Sequence, residues 1–82
     1  MIYAKCIELK KLIVKFNRKQ YMLENCLSYE FGMFIDGEWG CTIKCNGCIN
    51  VRDFQEIYEY IATLSFCPFM YGSRFGFRVH IQ

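Results

Sequence analysis

The chain contains one proline, one histidine and one tryptophan, and only 22% of its residues are charged. A lone histidine, His80, leaves a single side chain able to act as a base near neutral pH. A lone proline, Pro68, marks one firm boundary, because the residue before a proline is pushed out of the helical region. No apolar run approaches the ~20 residues needed to cross a bilayer, and residues 1–16 mix Lys and Glu with apolar residues, unlike a secretory leader. A cytoplasmic location is therefore expected, and there the six cysteines would stay reduced. Glycine motifs that cradle phosphate, nucleophile elbows, linkers, low-complexity tracts and internal repeats are not legible either. What is present is a hydrophobic fraction of 54% and an aromatic fraction of 18%, enough to offset the entropy of folding. Residues 1–82 are too few for two cores and are expected to form a single compact domain.

The net charge of +2 hides an uneven distribution. Residues 1–20 carry Lys5, Lys10, Lys11, Lys15, Arg18 and Lys19 against Glu8 alone. Residues 21–64 carry Glu24, Glu30, Asp36, Glu38, Asp53, Glu56 and Glu59 against Lys44 and Arg52. Opposite faces of opposite sign can steer partners.

Hydrophobic periodicity supplies the elements. Residues 28–45 alternate as two strands, and Asp36-Gly37 marks a hairpin. A two-residue loop would set the apolar row of one strand beside the polar row of the other. The loop Ile35-Asp36-Gly37, with Gly37 in the left-handed position of a bulge, removes that conflict. It pairs Met33 with Trp39, Phe31 with Cys41 and Tyr29 with Ile43 on the core face, and Gly32 with Gly40 on the outer face. Residues 51–65 read as a helix, with Val51, Phe54, Ile57, Tyr58, Ile61 and Leu64 on one face and Asn50 as N-cap. Residues 74–81 alternate as a last strand, whose outer row is Arg74, Arg78 and His80. Leu12, Val14 and Phe16 alternate as a half-buried strand would, with a return through residues 20–24. A helical spacing through Ile2, Cys6, Leu9, Ile13 and Phe16 competes, and residues 1–10 stay unassigned. The expected fold class is α+β: a mainly antiparallel sheet of about four to six strands with one helix, about 51–65, on one face.

The densest chemistry is Gly40-Cys41-Thr42-Ile43-Lys44-Cys45-Asn46-Gly47-Cys48-Ile49-Asn50. Its C-x3-C-x2-C spacing resembles the cluster loop of radical S-adenosylmethionine enzymes. That resemblance implies an iron–sulfur cluster on Cys41, Cys45 and Cys48. It covers these eleven residues; the later Gly-Gly-Glu segment and the partial barrel of that family are missing. Cys45-Asn46-Gly47-Cys48 also suits one half of a zinc site, which would need Cys41, Cys67, Cys26 or His80 to converge. The alternative is that these thiols behave as small hydrophobes. Arg74-Phe75-Gly76-Phe77-Arg78-Val79 resembles the RNP1 segment of RNA-recognition motifs, which implies base stacking, and Arg74, Arg78 and His80 would then bind nucleic acid.

With no catalytic set and no required cofactor, the expected function is that of a small non-catalytic protein that binds a larger protein. Gly32, Phe34, Gly40 and Tyr60 are the expected contact residues. Size and lack of chemistry resemble small phage-encoded inhibitors of host defence, anti-CRISPR proteins among them. Nucleic-acid binding through Arg74, Arg78 and His80 is the alternative. Metal binding through Cys41, Cys45, Cys48 and Cys67 is another. A homodimer through an unpaired sheet edge is also open.

Overall fold

The computed structural model describes residues 2–20 and 23–82. Its order is α1 (Ile2–Arg18), a 3-10 turn (Leu23–Asn25), β1 (Leu27–Met33), β2 (Trp39–Cys45), α2 (Val51–Ala62), β3 (Ser65–Tyr71) and β4 (Arg74–His80). The four strands form one antiparallel sheet in the order β1-β2-β4-β3. The class is α+β as expected, but with two helices instead of one.

Residues 12–16 are helical, not a strand. The 3-4-3 spacing of Cys6, Leu9, Ile13 and Phe16 places four side chains on one face, and the last three are fully or nearly buried. Burying that stripe outweighs the β preference of Ile13 and Val14, since intrinsic propensity is the weaker term. The expected turn at 17–19 is the C-terminus of this helix, where Lys19 and Gln20 donate to the carbonyls of Phe16 and Asn17. Of the expected return strand, Tyr21 and Met22 lie outside the described residues, and Leu23–Asn25 form the 3-10 turn.

The first hairpin has the expected register. Met33 pairs with Trp39, Phe31 with Cys41, Tyr29 with Ile43 and Gly32 with Gly40. Phe34 N–H donates to Glu38 O at 2.8 Å, Gly37 N–H donates to Phe34 O at 2.9 Å, and Gly37 takes φ +87°. Those bonds close a three-residue loop that only a left-handed residue completes. Met33 and Trp39, at the end of the hairpin, are nevertheless exposed and not in the core.

Helix α2 is capped by Asn50, whose Oδ1 accepts from Arg52 N–H at 2.9 Å. It stops at Ala62, short of the expected Ser65. Ser65–Tyr71 form β3 instead, with Pro68 in mid-strand opposite Phe77. The order of the sheet makes β3 an edge strand, and an edge tolerates a residue that cannot donate to the ladder.

Both helices cover the same sheet face. One cluster joins Leu9, Ile13 and Phe16 of α1, Phe54, Ile57 and Ile61 of α2, and Leu27, Cys41, Ile43, Cys45, Phe77 and Val79 of the strands. Phe54 stacks on Phe77 with centroids 5.7 Å apart, while Tyr58 and Phe66 meet Phe77 edge-on. These ring pairs fasten α2 over β4. No helix among the described residues is long and apolar enough to cross a membrane.

An internal repeat that the sequence hides is plain in the pairing. Each half runs helix, strand, strand. Adding 36 to a β2 position gives its β4 counterpart, and adding 37 to a β1 position gives its β3 counterpart. The Thr42–Arg78 pair sits on the resulting pseudo-twofold axis. Gly40 thus corresponds to Gly76, Ile43 to Val79, Met33 to Met70 and Trp39 to Phe75. The one-residue difference in offset arises in the loops, because the second hairpin turns on Gly72 and Ser73 alone, with Gly72 at φ +61°.

Candidate functional site

The sheet face opposite the helices is open. Its rows across the strands are Ser28, Lys44, Gly76 and Phe69; then Glu30, Thr42, Arg78 and Cys67; then Gly32, Gly40, His80 and Ser65. Residues 2–10 do not form a layer over it, since α1 lies on the other side. Two of its glycines are occupied by rings. A Cβ on Gly40 would strike the carbonyl oxygen of Val79 and come within 2.7 Å of the Phe34 ring. A Cβ on Gly76 would meet the Phe69 ring at 2.8 Å and the carbonyl oxygen of Ile43. An aromatic ring laid over a strand glycine restores the packing that the missing side chain forfeits.

The four expected contact residues are therefore not one site. Gly32, Phe34 and Gly40 lie together at the β1–β2 end of the open face, but Gly40 is buried beneath Phe34 and only Gly32 leaves bare backbone. Tyr60 faces α1, where its hydroxyl donates to the carbonyl of Lys5 at 3.4 Å. Burial, with the Glu8 carboxylate adding to it, pushes the Tyr60 phenol up. Tyr60 joins two helices and is not an exposed anchor.

The basic row is also changed. Arg78 lies over the Phe34 ring, 5.6 Å from its centroid, and Lys44 lies 5.3 Å over the Tyr71 ring. Arg74 is exposed at the far end of β4. His80 is not an exposed strand residue. Its side chain is 18% exposed, it meets the Phe34 ring edge-on at 5.2 Å, and its Nδ1 stands 2.7 Å from Oε2 of Glu38. That contact is at ion-pair distance but lacks hydrogen-bond alignment, so Nδ1 has no aligned partner. Glu30 and Glu38 share the face with Lys44, Arg74 and Arg78, which makes it mixed in charge and not a phosphate track.

The cysteines of the C-x3-C-x2-C stretch diverge. Cys41 and Cys45 are fully buried in the core, while Cys48 is exposed in the loop before α2. Cys67 is exposed on the opposite face of the sheet. Strand alternation explains the split: positions 41 and 45 point inward with Ile43, and 48 lies beyond the strand. Cys26 is half-buried next to the junction, its carbonyl accepting from Asn46 N–H. No group of three or more metal-ligating side chains converges among the described residues. Burial pushes the Cys41 thiol up to about 12 and the Cys45 thiol up to about 11. Such thiols are poor nucleophiles and poor ligands. Gly47, at φ +111°, is held where any Cβ would strike the carbonyl oxygen of Glu24. The stretch joins sheet to helix.

Sequence reasoning missed the hairpin ends. Met33 and Trp39 form a cross-strand pair with 73% and 40% exposure, and Ile35 stands fully exposed at the tip. Met70 and Phe75, their counterparts under the pseudo-twofold axis, are 67% and 39% exposed. The shared signal was legible as Met33-Phe34 before Trp39-Gly40 and Met70-Tyr71 before Phe75-Gly76. Comparison with family models, curated proteins and solved structures gives no match.

Proposed function

We propose that this chain is a non-catalytic binding protein that acts by contact with a larger protein, gripping it through its hairpin ends. The observation that carries the reading is the exposed Met–aromatic pair, Met33 with Trp39, repeated as Met70 with Phe75. Aromatic residues and methionine are the types enriched in interface cores. Each pair stands on hydrogen-bonded strands, so little ordering entropy is lost on binding. From Thr42 to Trp39, and from Arg78 to Phe75, is three residues in opposite directions, which sets the two aromatics about 20 Å apart. An inhibitor of the anti-CRISPR kind is one protein class that would work in this way. Of the two sheet edges, β3 is blunted by Pro68, so a strand-paired homodimer would form through β1.

Photocrosslinkers at positions 39 and 75 of the folded chain test the reading, with one at position 52 as the control. The same protein partner should be trapped from 39 and from 75, co-elute in fixed stoichiometry, and be absent from 52. Recovery of nucleic acid alone, with binding that weakens steeply in salt, would replace this reading with the nucleic-acid one.

A further inference from the structure

The outward side of α1 is a second surface, separate from the hairpin ends. Tyr3, Ile7, Lys10 and Val14 follow one another at spacings of four, three and four, which is the seam of a helix that packs lengthwise on another helix. Tyr3 is 77% exposed and Ile7 37% exposed, so the seam is uncovered along its first two turns. Ile7 and Val14 floor a cleft of about 650 Å³ whose remaining walls are Lys10, Lys11, Lys15, Arg18 and Lys19. Every wall comes from the same helix. The cleft is thus bounded by long, rotatable side chains and suits an extended partner better than a small molecule. No acid lines it. Glu56 reaches Lys15 at 3.4 Å, but both side chains are 57% exposed, and such pairs hold weakly.

We infer that this seam docks an amphipathic helix of a partner protein that carries apolar residues at heptad spacing and acids on the flank that meets Lys11, Lys15 and Arg18. The charge balance favours an acidic partner: five cations line the apolar strip, against Glu8 on the same helix and Glu56 at its edge. A second copy of α1 is excluded as occupant, because the two seams would repel. The outer face of α2 exposes Val51 and Tyr58 beside Glu56 and Glu59, so docking of a second copy through α2 is an outcome of the test, read as self-association of the chain without peptide, and would overturn the inference. A phosphate backbone has no use for the Tyr3–Ile7–Val14 strip. A bilayer would need a broader apolar face than three side chains.

The probe is a synthetic helix of about 18 residues, five turns, with Leu at the heptad positions and Glu along one flank. It is titrated into the full chain while amide NMR shifts are followed. A scrambled peptide of the same composition, a short single-stranded oligonucleotide, and phosphatidylcholine vesicles with and without phosphatidylserine are titrated alongside. The designed helix should shift resonances along residues 3–19 and bind at least about tenfold more tightly than its scramble. Charge reversal in K10E/K11E, which leaves the Lys15–Glu56 pair in place, should weaken it by about tenfold or more, while K10R/K11R retains binding. Unchanged amide dispersion in K10E/K11E shows that the fold is kept. Equal binding of the scramble, shifts away from α1, or tighter binding of the oligonucleotide or the anionic vesicles would each overturn the inference. Because the hairpin ends play no part in this titration, its failure leaves the crosslinking result at positions 39 and 75 untouched.

Discussion

At the scale of single residues, three glycines in strands fall into two different environments, and that difference is testable. Gly40 and Gly76 each lie under an aromatic ring and against a neighbouring carbonyl, whereas a Cβ on Gly32 meets nothing within 4 Å. Gly40→Ala and Gly76→Ala should each cost about 1–3 kcal/mol in urea unfolding, the range for overpacking a filled site. Gly32→Ala should be neutral or slightly stabilising, since it lowers the entropy of the unfolded chain without a clash. The core thiols make a second prediction. Cys41 and Cys45 have folded values near 12 and 11, above the ordinary 9.0. The folded state therefore holds protons that the unfolded state releases. Their contribution is complete below about pH 9 and is lost as the pH rises from 9 toward 12, with a slope of about 1.4 kcal/mol per pH unit for each thiol. Cys41→Ala should lower stability at pH 7 but flatten that alkaline decline, as read from unfolding midpoints between pH 8 and 11. A thiol reagent at neutral pH should modify Cys48 and Cys67 quickly, and Cys41 and Cys45 only on unfolding.

At the scale of elements, what was legible from sequence is what local chemistry decides. The β1–β2 register followed from one conflict, the apolar and polar rows around Asp36-Gly37, and the Gly37 bulge resolves it as expected. The Asn50 cap and the Phe54, Ile57 and Ile61 part of the α2 stripe were equally local, whereas Val51 and Tyr58 are exposed and Leu64 falls past the end of the helix. Helix α1 was not legible, because Leu12, Val14 and Phe16 satisfy a two-residue period while Leu9, Ile13 and Phe16 satisfy a helical one. Only the sheet that receives the stripe decides between them. Strand β3 was hidden because Pro68 reads as a stop, and whether it stops an element or sits in an edge depends on which strand is outermost. Bare backbone at both Gly32 and Gly40 was misjudged for a similar reason: pairing was predictable, but the Phe34 ring over Gly40 was not. One side chain couples the unforeseen helix to the sheet. Asn17 donates from Nδ2 to Leu27 O at 3.0 Å and accepts from Leu27 N–H at 2.8 Å, filling both backbone groups at the start of β1. Asn17→Ala leaves both unmet in a partly buried place and should cost about 1–3 kcal/mol. Asn17→Asp keeps the acceptor and loses the donor, so its cost should fall below that of alanine. Chemical denaturation of the two variants orders them.

At the scale of the whole molecule, the two helix–strand–strand halves share one core and neither closes alone. The halves meet strand to strand and helix to helix: Cys41 pairs across to Val79 and Ile43 to Phe77, while Lys15 of α1 reaches Glu56 of α2. Cut between Cys48 and Ile49, the fragments would each carry a two-stranded sheet and one helix, too little to be stable independently. The β2–β4 ladder and the α1–α2 contact would then have to form between chains. Each fragment is thus expected to show little sheet signal alone by circular dichroism, and an equimolar mixture to recover the spectrum of the intact chain in a concentration-dependent way. Gly40→Ala in the first fragment should weaken that association, because its Cβ would strike the Val79 carbonyl of the second. Gly32→Ala should leave association unchanged. An independently folded half would mean that the pseudo-twofold axis joins two finished units, and the exposed Met–aromatic pairs would then belong to each half separately.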